Sequence, residues 1–165
     1  MPVDPVSTGT EASELAARLE SARALIDAHL FGPVKSQPAV QHVEYDAELR
    51  RWYLRFGCDG RDAATIYFDL HQRTLRYELY FIPAPEEVER RNELNAWLLR
   101  RNHDLYAARF SAGPDGDIYI TGRLALEHLS ETELDRIIGV LFELTERWFQ
   151  AAVQIAFRQR SQAAQ

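Results

Sequence analysis

A chain of 165 residues, 46% hydrophobic and 27% charged, has the composition of one soluble globular domain with flanking tails. Its formal net charge of −6 argues against a nucleic-acid binder, because that affinity comes mainly from neutralising phosphates. Cys58 is the only cysteine, so no internal disulfide can form and core burial has to supply the stability. No apolar run is long enough to span a bilayer, and the N-terminal MPVDPVSTGT lacks the basic start and apolar centre of a signal peptide. The expected location is the cytoplasm.

Residues 1–10 are rich in Pro, Ser, Thr and Gly and are expected to form a disordered tail. From Ser13 to Leu30, apolar residues at Leu15, Leu19, Ala22, Ile26 and Leu30 recur at helical spacing, with Gly32 and Pro33 as stop signals. Val40 to Glu44 is a candidate short strand. Trp52, Leu54 and Phe56 alternate with polar partners, and Asp59-Gly60 turns the chain back through Ala63 to Leu70. Leu75, Tyr77, Leu79 and Phe81 then repeat the strand period after a tight reversal at His71 to Thr74.

Pro83 and Pro85 end the sheet pattern, and Pro85-Glu86-Glu87 is a favourable helix opening. The helix it predicts has a narrow stripe, Val88, Leu94, Trp97 and Leu98, between charged residues. Tyr106, Ala108 and Phe110 alternate, Gly113 to Gly116 makes a turn, and Ile118 with Ile120 returns as a strand. Ser130 with Glu133 is a capping-box pattern that opens a long final helix, and residues 158–165 should fray. The predicted fold is α+β: helix, three antiparallel strands, helix, two strands, helix, with one domain over 11–157.

Motifs for catalysis are missing. The chain has no G-x-S-x-G elbow, no phosphate-binding G-x-x-x-x-G-K-[ST] loop, no H-E-x-x-H pair and no C-x-x-C. The five histidines are scattered without metal-ligand spacing, and Asp59 and Asp62 are ordinary turn residues. No enzyme, cofactor or metal is expected. If the apolar set faces the helices, the other sheet face displays Tyr53, Arg55, Tyr67, Asp69, Arg76, Glu78, Tyr80, Ile82, Arg109, Tyr119 and Thr121. Tyrosine and arginine together are characteristic of protein interfaces, although a solvated face held by cross-strand pairs has the same pattern. The candidate partner-binding residues are Tyr53, Arg55, Tyr67, Arg76, Glu78, Tyr80, Arg109 and Tyr119. Leu94, Trp97, Leu98 and Arg101 on the middle helix are candidates for a homodimer seam.

The stretches LRYE (75–78), FIPAPEE (81–87), LLRRN (98–102), DIYITGR (117–123) and ELDRIIG (133–139) resemble the YbjN family, particularly its actinobacterial branch. The resemblance runs over about 43–157 and implies the fold of type III secretion chaperones of the Tir-chaperone kind. Proteins of that fold are typically small acidic dimers that bind an extended segment of a partner protein. It therefore implies a chaperone-like or regulatory adaptor that binds protein, without nucleic acid or membrane. A small-molecule sensor, with its pocket between the sheet and the last helix, is the alternative.

Overall fold

A computed structural model describes residues 5–158, with side chains from residue 11 onward. In chain order the elements are α1 (Pro5–His29), β1 (Val40–Asp46), β2 (Arg51–Cys58), β3 (Arg61–Leu70), β4 (Thr74–Ile82), α2 (Val88–Asn102), β5 (Arg109–Ala112), β6 (Ile118–Ala125) and α3 (Glu131–Phe157). The six strands form one antiparallel sheet in the order β1-β2-β3-β4-β6-β5, and the three helices pack on one of its faces. The period-two pattern explains that choice: Trp52, Leu54, Phe56, Ile66, Phe68, Leu75, Tyr77, Leu79, Phe81 and Ile120 are all buried on the helix side.

Several boundaries differ from those predicted. Val40–Glu44 extends into a full strand of seven residues, so four strands, not three, precede α2. β1 is an edge strand with one buried residue, Val43, and therefore carries a weak alternation signal. α1 begins at Pro5, within the stretch expected to be a tail; residues 1–4 and 159–165 lie outside the described residues. α2 starts at Val88 instead of Pro85: the Glu87 backbone is extended, at φ −68° and ψ 122°, and the Arg91 guanidinium donates to the Pro85 carbonyl at 3.0 and 3.1 Å. Val88, assigned to the apolar stripe, is 63% exposed at the first turn. Tyr106, read as a strand residue, is 88% exposed in the loop ahead of β5.

Polar contacts lock the layers together. Trp52 Nε1 donates to Asp27 on α1 at 2.7 Å, and buried His29 meets Asp135 of α3 at 2.7 Å. Ser130 caps α3 by accepting from the Glu133 amide at 3.2 Å, as its capping box predicts. On the inner face Tyr77 stands opposite Gly122, and its ring lies so close that a Cβ at Gly122 would clash with it. The same ring is held by a bond from its hydroxyl to the Ala107 carbonyl, so it cannot swing aside. Gly139, in contrast, has nothing within 4 Å of a Cβ and lies in the middle of α3.

Gly122→Ala is accordingly expected to lower stability by about 1–3 kcal/mol through overpacking. Gly139→Ala should raise it by about 0.5–1 kcal/mol through helix propensity. Urea denaturation of both variants beside the parent measures the pair, and a neutral Gly122→Ala would contradict the packing of Tyr77 across the strand.

Candidate interaction face

The face of the sheet turned away from the helices is crossed by continuous rows of side chains. One row spans all six strands through paired residues Glu44, Tyr53, Tyr67, Glu78, Thr121 and Arg109. A parallel row runs Asp46, Arg51, Asp69, Arg76 and Arg123 over five strands. Tyr80, Tyr119 and Ser111 are paired across β4, β6 and β5. Seven of the eight candidate partner-binding residues thus fall on these rows, and Arg55, between His42 and Thr65 on their strands, completes the set.

Their contacts show how such a face is stable without a helix over it. Tyr53 and Tyr67 meet edge to face with ring centres 5.3 Å apart, and Tyr80 and Tyr119 do the same at 5.4 Å. Arg51 holds Asp69 through two parallel bonds of 2.6 and 3.0 Å while its guanidinium lies 5.3 Å from the Tyr67 ring. That bidentate pair lets Asp69 be 7% exposed, so it serves structure and is not free to meet a partner. Arg76 pairs with Glu78 on the same strand. Arg109 and Arg123 are exposed and have no ion-pair partner among the described residues.

Ile82, expected on this face, is buried on the other. β4 carries one extra residue between Tyr80, which pairs Tyr119, and Ile82, which pairs Ile118. That bulge turns Ile82 inward beside the buried Ile118, leaving both Phe81 and Ile82 in the core. Simple alternation cannot reveal it. At the same corner Asp117 accepts from the Ala84 amide at 2.7 Å and from the Tyr80 hydroxyl at 3.0 Å, pinning the proline-rich break to β6.

The two sheet edges differ. Asn102, at the end of α2, accepts from the Phe110 amide at 2.8 Å and donates to its carbonyl at 2.9 Å, so a side-chain amide stands in for a neighbouring strand on β5. β1 forms the other edge. The four residues assigned to a dimer seam are placed unevenly. Leu94 and Leu98 are buried in the core, Trp97 stacks edge-on against Trp148 of α3, and the Arg101 guanidinium lies over both indoles. The outward side of α2 shows Leu99, 71% exposed, which the apolar spacing did not single out.

Burial pushes the Cys58 thiol up, which disfavours the thiolate. No three His, Cys, Asp or Glu side chains converge as metal ligands among the described residues.

The family model for YbjN, described as "Putative bacterial sensory transduction regulator", matches residues 59–153, more than half of the chain. The chain belongs to the YbjN family. Among curated proteins this family member is similar to the uncharacterized protein Rv0487 of Mycobacterium tuberculosis, 32% identical over 87 residues. It is also similar to the uncharacterized protein ML2442 of Mycobacterium leprae, 28% identical over 87 residues. Each match covers 53% of this chain and 46% of the mycobacterial protein, so the chain matches about half the length of these relatives. Among solved structures, a chain of the ExsC–ExsE complex aligns with a TM-score of 0.51 at 15% identity, covering 79% of this chain and 92% of that one. The Yersinia pestis type III secretion chaperone SycH, solved with a stable fragment of YscM2, aligns with a TM-score of 0.47 at 13% identity, over 81% and 98% of the two chains. The α+β arrangement expected from the resemblance, helices on an antiparallel sheet, is the one observed.

Burial, then the hydrogen bond and negative charge of Asp117, push the Tyr80 hydroxyl up to about 12. A raised value favours the protonated folded state, so this contribution to stability is complete below the ordinary tyrosine value of about 10. It is lost as pH climbs through about 12. In an ultraviolet alkaline titration Tyr80→Phe should remove a late-ionising phenol, and Asp117→Asn should bring that phenol back toward about 10. An unchanged titration in both variants would contradict the Tyr80–Asp117 contact.

Proposed function

We propose that this YbjN-family chain is a non-enzymatic chaperone-like or regulatory adaptor that binds a segment of a protein partner on the open face of its sheet. The observation that carries the reading is that face itself. It is six strands wide, no described element covers it, and it displays two tyrosine pairs beside the unpaired Arg109 and Arg123. Tyrosines fixed by edge-to-face contacts offer large contact area with little ordering cost, and arginines free of ion pairs have donors to spare. A segment lying along the face can also pair its backbone with β1, the other edge of the sheet. The family's regulatory description and a fold shared with a chain of the ExsC–ExsE complex support an adaptor, while a shared fold alone does not fix function.

The proposal includes a homodimer and a cytoplasmic location. The dimer seam is centred on the exposed side of α2 at Leu99, opposite the side on which Trp97 and Arg101 meet Trp148 of α3. No helix among the described residues is long and apolar enough to cross a membrane.

Affinity isolation from the source bacterium with the parent chain and with a Tyr53→Ala, Tyr67→Ala, Tyr119→Ala variant tests the face. Tyr80 is kept because it pins Asp117. The variant should lose partners that the parent retains, and identical partner sets would overturn the assignment. Light scattering should give a dimer for the parent and a monomer for Leu99→Asp; a monomeric parent at high micromolar concentration would remove the dimer from the proposal.

A further inference from the structure

The end of α2, the loop that follows it and the adjoining side of α3 enclose a cleft of about 560 Å³, within the size range of small-molecule sites. Its charge runs against that of the chain. Arg100 and Arg101 from α2 converge with Arg136 and Arg147 from α3, opposed by the carboxylates of Asp104 and Glu143, in a protein of net charge −6. Arg136 is held by Glu133 and Arg147 lies 3.9 Å from Glu143, whereas Arg100 and Arg101 have no ion-pair partner among the described residues.

Arg101 is fixed in an unusual way. Its guanidinium carbon lies 4.3 Å from the centre of the Trp97 ring and 4.9 Å from that of Trp148, so its plane is set by two indoles. Its Nε is buried and makes no hydrogen bond, one of two such side-chain atoms among the described residues, the other being His29 Nδ1. Basic residues in the last turn of a helix are ordinary partners for the helix dipole, which accounts for a charge at this position. It does not account for the approach of two more arginines from α3. Trp148, Leu105 and Val140 supply an apolar wall beside the cations.

We propose that this cleft binds an organic oxyanion: a carboxylate or phosphate group held by the terminal nitrogens of Arg101 and by Arg100, with an apolar body against Leu105 and Val140, since the Trp148 ring already carries the Arg101 and Arg147 guanidiniums. The fork geometry of arginine suits either oxyanion, and ring stacking holds it ready at low ordering cost. The site lies on the helix side of the molecule, away from the open sheet face, so ligand binding is separable from partner binding.

The indole N–H resonances of Trp148 and Trp97 report on the cleft directly in nitrogen-15 NMR spectra of the full chain. Titration with naphthoate, with phenyl phosphate and with the neutral naphthamide distinguishes the contributions. At least one of the two anions should shift these resonances saturably and bind at least tenfold more tightly than naphthamide, and the stronger anion names the preferred oxyanion. Arg101→Gln and the exposed Arg100→Gln should each weaken it by about tenfold, and Arg55→Gln on the open face should leave it unchanged; a dispersed spectrum shows that each variant is folded. Equal binding of anion and amide, or no saturable shift with either anion, would overturn the proposal.

Discussion

Because all three helices pack on one side of the sheet, the side chains on the other side have to satisfy one another in water. That constraint orders much of the structure. It explains why tyrosines meet edge to face across β2–β3 and β4–β6, why Asp69 is gripped by both ends of the Arg51 fork, and why Arg76 pairs along its own strand with Glu78. It also explains why Arg109 and Arg123, near the β5 side, stand out: their charges are not consumed by the network. On a surface that is internally settled over most of its width and unsettled at a few cations, few side chains are left to be ordered by a further contact.

The inner face obeys a different rule, in which space is limiting. Tyr77 gains a buried hydrogen bond to the Ala107 carbonyl only because Gly122 leaves room for its ring. That bond in turn holds the loop between α2 and β5, the same loop that forms part of the arginine-rich cleft. Trp97, Arg101 and Trp148 then join the end of α2 to α3. The packing that secures α2 thus also shapes the cleft between the two helices.

Much of this could be read from sequence because strand period two and the Ser130–Glu133 cap are local signals. The open face was legible for the same reason: once Trp52, Leu54 and Phe56 are assigned inward, Tyr53 and Arg55 have to point outward. What escaped the pattern depends on contacts distant in sequence or on single-residue irregularities. One inserted residue in β4 sends Ile82 into the core, and an extended Glu87 puts the start of α2 at Val88. The edge strand β1 is weakly patterned because one of its seven residues is buried. Leu94 and Leu98 read as a narrow stripe available to a second subunit, whereas both are buried in the core of the chain itself. The cleft had no sequence signature, since its arginines are separated by more than thirty positions and by β5 and β6.

The central claim, that the open sheet face is where a protein partner docks, is tested most directly by site-specific photo-crosslinking in the source bacterium. A benzophenone side chain placed at Tyr67, in the middle of the six-strand row, is compared with one at Phe157, exposed at the end of α3. The account predicts a discrete protein adduct from Tyr67 that Phe157 does not give. An adduct of the same size and yield from both positions, or one from Phe157 alone, would contradict it.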